Sequence, residues 1–163
     1  EFFNLSGLNI TNCSFSGNKA IDKNTGYEAS GGAIYDHSSE LTIVNTEFIN
    51  NTADENGGAL ELGNTMSTYS SGENITDNID WTIIKNCTFD NNYARKEGGA
   101  IYNGKNIAYT NISDSRFTNN FALVTGGVMT NYFGFIWADN CEFINNEAGE
   151  ASIIYMYGHY NYP

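Results

Sequence analysis

Hydrophobic and polar residues alternate along this chain in short runs. In LTIVNTEFINN, residues 41–51, Leu41 and Ile43 alternate with Thr42 and Val44, and Thr46 and Phe48 alternate with Glu47 and Ile49. That is period two, broken once at Asn45, and it predicts two short strands meeting at a bend. No segment carries a convincing 3.6-residue period. Asn, Gly, Ser and Thr abound and Leu is scarce, which also disfavours helix, because short polar side chains compete for the backbone's hydrogen bonds.

The alternating unit recurs. Its fullest form is Cys87 to Tyr102, CTFDNNYARKEGGAIY, with a Phe, an Asn pair two residues later and a Gly pair nine residues after the Phe. The anchor phenylalanines are Phe15, Phe48, Phe89, Phe117 and Phe143, and three residues on stand Asn18, Asn51, Asn92, Asn120 and Asn146. Five residues before each Phe stand Ile10, Ile43, Ile84, Ile112 and Ala138, and three before stand Asn12, Asn45, Asn86, Asp114 and Asn140. The Gly pairs are Gly31-Gly32, Gly57-Gly58, Gly98-Gly99 and Gly126-Gly127; by the same count Ser152 and Ile153 replace the last pair. The shortest interval, Phe117 to Phe143, is 26 residues, and the others are lengthened by insertions.

A strand-period repeat of this length fits one coil of a stacked solenoid. The expected fold is all-β: a right-handed parallel β-helix of about five to six coils, in which equivalent residues stack at roughly 4.8 Å. Phe, Ile and Leu columns then point inward. Asn recurs at the bends because it tolerates left-handed backbone, and stacked amides can bond from coil to coil. The Gly pair marks a bend where a Cβ would clash or φ is positive. Residues 1–163 read as one such domain, a fragment of a longer repetitive chain. Residues 62–80 read as a protruding inserted loop rich in Ser, Thr and Asn, and residues 24–30 as a smaller one.

Charge and cysteine count narrow the setting. The net charge of −12 argues against nucleic acid and anionic membrane surfaces as partners. No apolar run approaches the ~20 residues of a membrane-spanning helix, so no membrane insertion by this segment is expected. Cys13, Cys87 and Cys141 share one inward column but lie two coils apart. That is roughly 9–10 Å between Cα atoms, beyond the ~7 Å reach of a disulfide. Three buried free thiols are expected, with no metal bound by them.

Candidate binding residues are aromatic. Tyr132, Phe133, Phe135 and Trp137 fall close together, and Tyr155 and Tyr157 follow. Such clusters serve as platforms for sugar rings and partner proteins, or cover an end of the coil stack. A second surface is the strand after the Gly pair, where Ile34, Leu60, Ile101, Met129 and Ile154 face in. Tyr35, Glu61, Tyr102, Thr130 and Tyr155 should then face out as a ladder. Tyr35, Tyr102, Tyr132, Phe133, Trp137 and Tyr155 are therefore the expected binding residues. Of the N-x-S/T sequons, Asn9, Asn74 and Asn111 are the accessible glycosylation candidates, while Asn12 and Asn86 fall in the bend column. Arg116 and Glu142 should pair across neighbouring coils. Many parallel β-helices are polysaccharide lyases or hydrolases, which ranks third among the functional readings here, with Glu147 and Glu150 as its carboxylates. Those carboxylates are scattered over turns and suggest no catalytic pair, so neither catalysis nor a cofactor is expected.

The anchors F-x-N-N-x-A followed by G-G-A-I-Y resemble the repeat of chlamydial polymorphic outer-membrane proteins. Phe48–Asn51 with Gly57–Leu60 and Phe89–Asn92 with Gly98–Ile101 carry the likeness, while Gly126-Gly127-Val128-Met129 departs from it. The Asn-rich, acidic character is also similar to adhesin-like surface proteins of methanogenic archaea. The resemblance implies a right-handed β-helix on a cell surface. It implies a non-enzymatic role in adhesion to a glycan or protein of a host or neighbouring cell. End-to-end self-association into a filament or sheath is the alternative.

Overall fold

The structure is a computed structural model that describes residues 7–23, 29–36, 40–62, 80–104, 108–132 and 134–158. Within them the chain winds through five coils, 7–36, 40–62, 80–104, 108–132 and 134–157, here coils 1 to 5. Each coil gives one strand to each of four five-stranded parallel sheets. Sheet A holds Gly7–Thr11, Glu40–Val44, Asp80–Lys85, Ala108–Ser113 and Phe135–Asp139. Sheet B holds the anchor Phe strands, and sheet C the short strands after the inner Asn. Sheet D holds Ile34–Asp36, Leu60–Leu62, Ile101–Asn103, Met129–Tyr132 and Ile154–Tyr157. The stretch read as an insertion, 62–80, begins and ends in strands at Leu62 and Asp80; between them it lies outside the described residues. Most of the smaller one, 24–28, does too.

Like sits on like. Ile10, Ile43, Ile84, Ile112 and Ala138 are in register across sheet A. The five anchor rings form one internal stack, with centroids 5.0, 4.7, 4.8 and 5.4 Å apart and planes within 15° of parallel. Leu60, Ile101 and Met129 close the core from sheet D. Register survives connections of unequal length because these columns, rather than the loops, fix it.

The inner Asn column is a satisfied ladder. Asn51, Asn92 and Asn120 are fully buried. The Nδ2 of each donates to the Oδ1 of the next coil, at 2.9–3.0 Å, and to the carbonyl of the preceding coil's anchor Phe. Each Oδ1 also accepts the backbone N–H of the preceding ladder Asn. The side-chain amides of Asn51, Asn92 and Asn120 are thus paired at both nitrogen and oxygen, and their burial carries no unpaired-group desolvation cost. At the outer bend Asn12, Asn45, Asn86, Asp114 and Asn140 all hold φ between 50° and 56°.

The Gly pair needs both of its properties. The first glycine holds φ of 61–65° in coils 1 to 4, and the second lies so close to the next coil that a Cβ on Gly99 would sit 2.1 Å from the Gly127 carbonyl oxygen. In coil 5 the pair is replaced by Ala151 and Ser152, one position earlier than the sequence count gives. Gly126 and Gly127 donate their N–H groups to the carbonyls of Glu150 and Ala151, and Met129 aligns with Ile154. The cause is a residue missing between Ala148 and Glu150, where the register against coil 4 shifts.

The thiols are free, but burial differs from expectation. Cys87 is buried, Cys141 half-buried and Cys13 exposed. An inward column buries its members only where coils lie on both sides, and among the described residues Cys13 and Cys141 belong to the outermost coils.

Candidate binding surface

The expected outward ladder of sheet D is in register: Tyr35, Glu61, Tyr102, Thr130 and Tyr155 align strand to strand. It is not a solvated stripe. Glu61 is 3% exposed and Thr130 0%; only Tyr35 is well exposed, with Tyr102 and Tyr155 half-buried. Glu97 and Thr125, each just before a Gly pair, reach over this face. The Thr130 hydroxyl donates to the Thr125 carbonyl at 2.9 Å, and its oxygen lies 3.0 Å from the Thr125 hydroxyl. The Tyr132 hydroxyl donates to Glu97 Oε1 at 3.1 Å. Burial, and then the Glu97 carboxylate beside it, push the Tyr132 phenol up to about 12. Its ring meets Tyr102 at 6.0 Å and Tyr157 at 5.6 Å, both steeply inclined.

Trp137 stands elsewhere, on sheet A, so the structure divides the predicted residues between two faces. Phe133 lies outside the described residues. On sheet A, Trp81, Tyr109 and Phe135 share one outward column and stack at 4.9 Å, with planes 24° and 15° apart. The next outward column is Asn9, Thr42, Ile83, Asn111 and Trp137. Trp81, Ile83, Phe135 and Trp137 are all exposed, Trp137 most at 61%. Sequence reading missed Trp81 and Tyr109 as surface residues. The available signal is spacing: Trp81, Tyr109 and Phe135 each precede an inward column residue, Ile84, Ile112 or Ala138, by three positions.

Sheet B carries a shallow depression of about 400 Å³ lined by Ile49, Asp90, Arg116, Thr118 and Ile144. Arg116 pairs with Glu142 at 3.0 Å, as stacking predicts, and Thr118 and Asn119 both donate to Asp90. Lys96 pairs with Glu55 at 2.7 Å. Glu147 and Glu150 are exposed along sheet C. Among the described residues no three His, Cys, Asp or Glu side chains gather to hold a metal. The sequons sort by environment. Asn12 and Asn86 are tied to Asn45, and Asn50 to Asn91. Asn9 and Asn111 are exposed on sheet A, and Asn74 lies outside the described residues.

Residues 12–36, 45–61 and 86–104 match the sequence model of the Chlamydia polymorphic membrane protein repeat. These stretches lie in coils 1, 2 and 3. Each matched stretch starts at the outer Asn bend, passes the anchor Phe, inner Asn and Gly pair, and reaches sheet D. What the polymorphic membrane protein repeat specifies is therefore the wall of the solenoid: inward columns and bends. The exposed side chains Trp81, Phe135 and Trp137 lie outside all three matched stretches. No curated protein and no solved structure gave a match.

Proposed function

We propose that this chain is a non-enzymatic binding segment of an adhesin-like cell-surface protein, engaging a glycan or protein on a host or neighbouring cell. The observation that carries the reading is the outer face of sheet A. Trp81 and Ile83 stand on one strand and Phe135 and Trp137 on another, with Tyr109 and Asn111 in register on the strand between them and solvent beside all four. A contiguous apolar patch on a strongly charged molecule marks an interaction surface. Trp137 is its anchor, a large rigid ring of the kind that dominates binding energy when a partner buries it. Asn111 and Thr42, in the same column, offer hydrogen-bond partners for hydroxyl or amide groups. Trp81, Tyr109 and Phe135 spend their ring faces on one another and present mainly edges; they serve as a rigid floor beside Trp137. The match to a membrane-protein repeat supports a cell-surface setting, and the net charge of −12 suits a soluble exposed segment.

The test is binding of labelled protein to glycan arrays and to intact cells. Trp137→Ala should weaken binding by about 30-fold, the loss typical of an anchor residue. Tyr35→Ala, on the other face, should leave it unchanged. Binding that survives Trp137→Ala and Trp81→Ala together sinks the assignment of the face.

A further inference from the structure

The outer face of sheet B differs in chemistry from the aromatic face of sheet A. On each of its strands the inward anchor ring leaves one outward position before it and one after it. Before the ring stand Glu47, Thr88, Arg116 and Glu142, and after it Ile49, Asp90, Thr118 and Ile144, in register on adjacent strands. The depression of about 400 Å³ is lined from both columns.

The second column changes character along its length. Ile49 and Ile144 stand three strand spacings apart, about 14 Å, with Asp90 and Thr118 between them. Asp90 is half-buried and its carboxylate is held in place. Oδ1 accepts both the Thr118 hydroxyl and the Asn119 amide, while Oδ2 takes neither and keeps its lone pairs for another donor. Asn119 reaches the carboxylate from the bend, where its backbone holds φ 55°. Arg116, diagonal to Asp90 on the next strand, gives an N–H to Glu142 and has a side chain 54% exposed. A guanidinium carries five such donors. One concave surface thus offers a positioned acceptor, a donor beside it and an aliphatic side chain at each end.

This arrangement selects a class of ligand. An anion meets Asp90 and a net charge of −12, and a cation meets Arg116. An uncharged polyhydroxyl compound satisfies both groups: one hydroxyl gives its hydrogen to Asp90 Oδ2, and a neighbouring oxygen takes an N–H from Arg116. Sugar rings also present C–H faces for Ile49 and Ile144 to cover, and the two isoleucines are further apart than one ring spans. We propose that this depression binds a neutral oligosaccharide. The site shares no residue with the sheet A face and does not depend on the function assigned to that face.

The test is a titration of isotope-labelled protein, followed by amide chemical shifts, with neutral trisaccharides of glucose, mannose, galactose and N-acetylglucosamine. At least one of them should move the amides of Asp90, Thr118 and Asn119. Trimers of galacturonate and of glucosamine, which are charged, should not. Asp90→Ala should weaken the bound sugar at least about tenfold, the loss expected for a hydrogen bond to a charged group. Arg116→Gln, at an exposed position, should do the same, and Glu142→Gln, which removes only the ion-pair partner, should not weaken it. If every neutral trisaccharide leaves these amides unmoved, the proposal falls and the sheet A reading stands. Shifts confined to the strands of Trp81 and Trp137 also overturn it, and favour that reading instead. A charged trimer that binds more tightly than every neutral one overturns the ligand class. Affinity unchanged in both Asp90→Ala and Arg116→Gln overturns the site.

Discussion

In coil 3, Phe89 stacks between Phe48 and Phe117 and is fully buried; in coil 5, Phe143 stacks on Phe117 and is only partly covered. Asn92 is bonded in both directions along its ladder, and Cys87 is sealed. The coil 5 counterparts, Asn146 and Cys141, are half-open. The residues are the same and their positions in the coil are the same. The difference lies in the number of covered sides. A solenoid distributes its stability over interfaces between neighbouring coils, so a residue with coils on both sides takes part in two interfaces and one at an end in a single one.

The sharpest way to break this comparison is at the glycine corner. Gly99→Ala forces a Cβ to within 2.1 Å of the Gly127 carbonyl, and should destabilise the fold by more than about 4 kcal/mol. Ser152→Ala, at an exposed position, should change stability by less than about 0.5 kcal/mol. Urea unfolding of the two variants decides it, and similar costs would mean that the corner is not rigid. Next comes the ring stack. Phe89→Ala should cost about 3–5 kcal/mol, and Phe143→Ala clearly less, because part of its ring already meets water; equal midpoint shifts would show that the end coil is packed as tightly as the middle. The smallest effect is chemical. Native alkylation with iodoacetamide should label Cys13 and Cys141 well before Cys87, whose burial also pushes its thiol up from the ordinary range and keeps it protonated. Mass spectrometry of timed samples reads the order directly.

Most of the wall of the molecule was legible in the sequence, and for a physical reason. Inward and bend positions must repeat the same residue type, since each stacks on its own image one coil away. Phe48, Phe89 and Phe117, the Asn51–Asn92–Asn120 ladder and the Gly pairs therefore announce themselves as columns. Arg116 and Glu142 were legible through the same register. Outward positions carry no such demand, so Trp81, Tyr109 and Phe135 share a column without sharing an identity, and two of the three escaped notice. The burial of Thr130 was illegible because Thr125 bonds back to it, and Glu97 reaches Tyr132 on the same face, contacts between segments rather than a pattern within one. The displaced glycine position of coil 5 was hidden by a single missing residue, invisible to a count that assumes constant spacing from Phe143.

The amides of this rod also carry a direction. Along the inner column the backbone N–H of each Asn can only donate, so the atom facing it is an oxygen, and every buried side-chain amide points the same way. Along the outer bend the sense is reversed: Asn45 gives to Asn12, Asn86 to Asn45, and Asn140 to Asp114, a carboxylate that can only receive. Two opposed files of dipoles thus run along the described coils, one dry and continuous, the other wet and interrupted between Asn86 and Asp114. The dry file is the less screened, so the two do not cancel, and top and bottom of the rod are electrically distinguishable before any formal charge is counted.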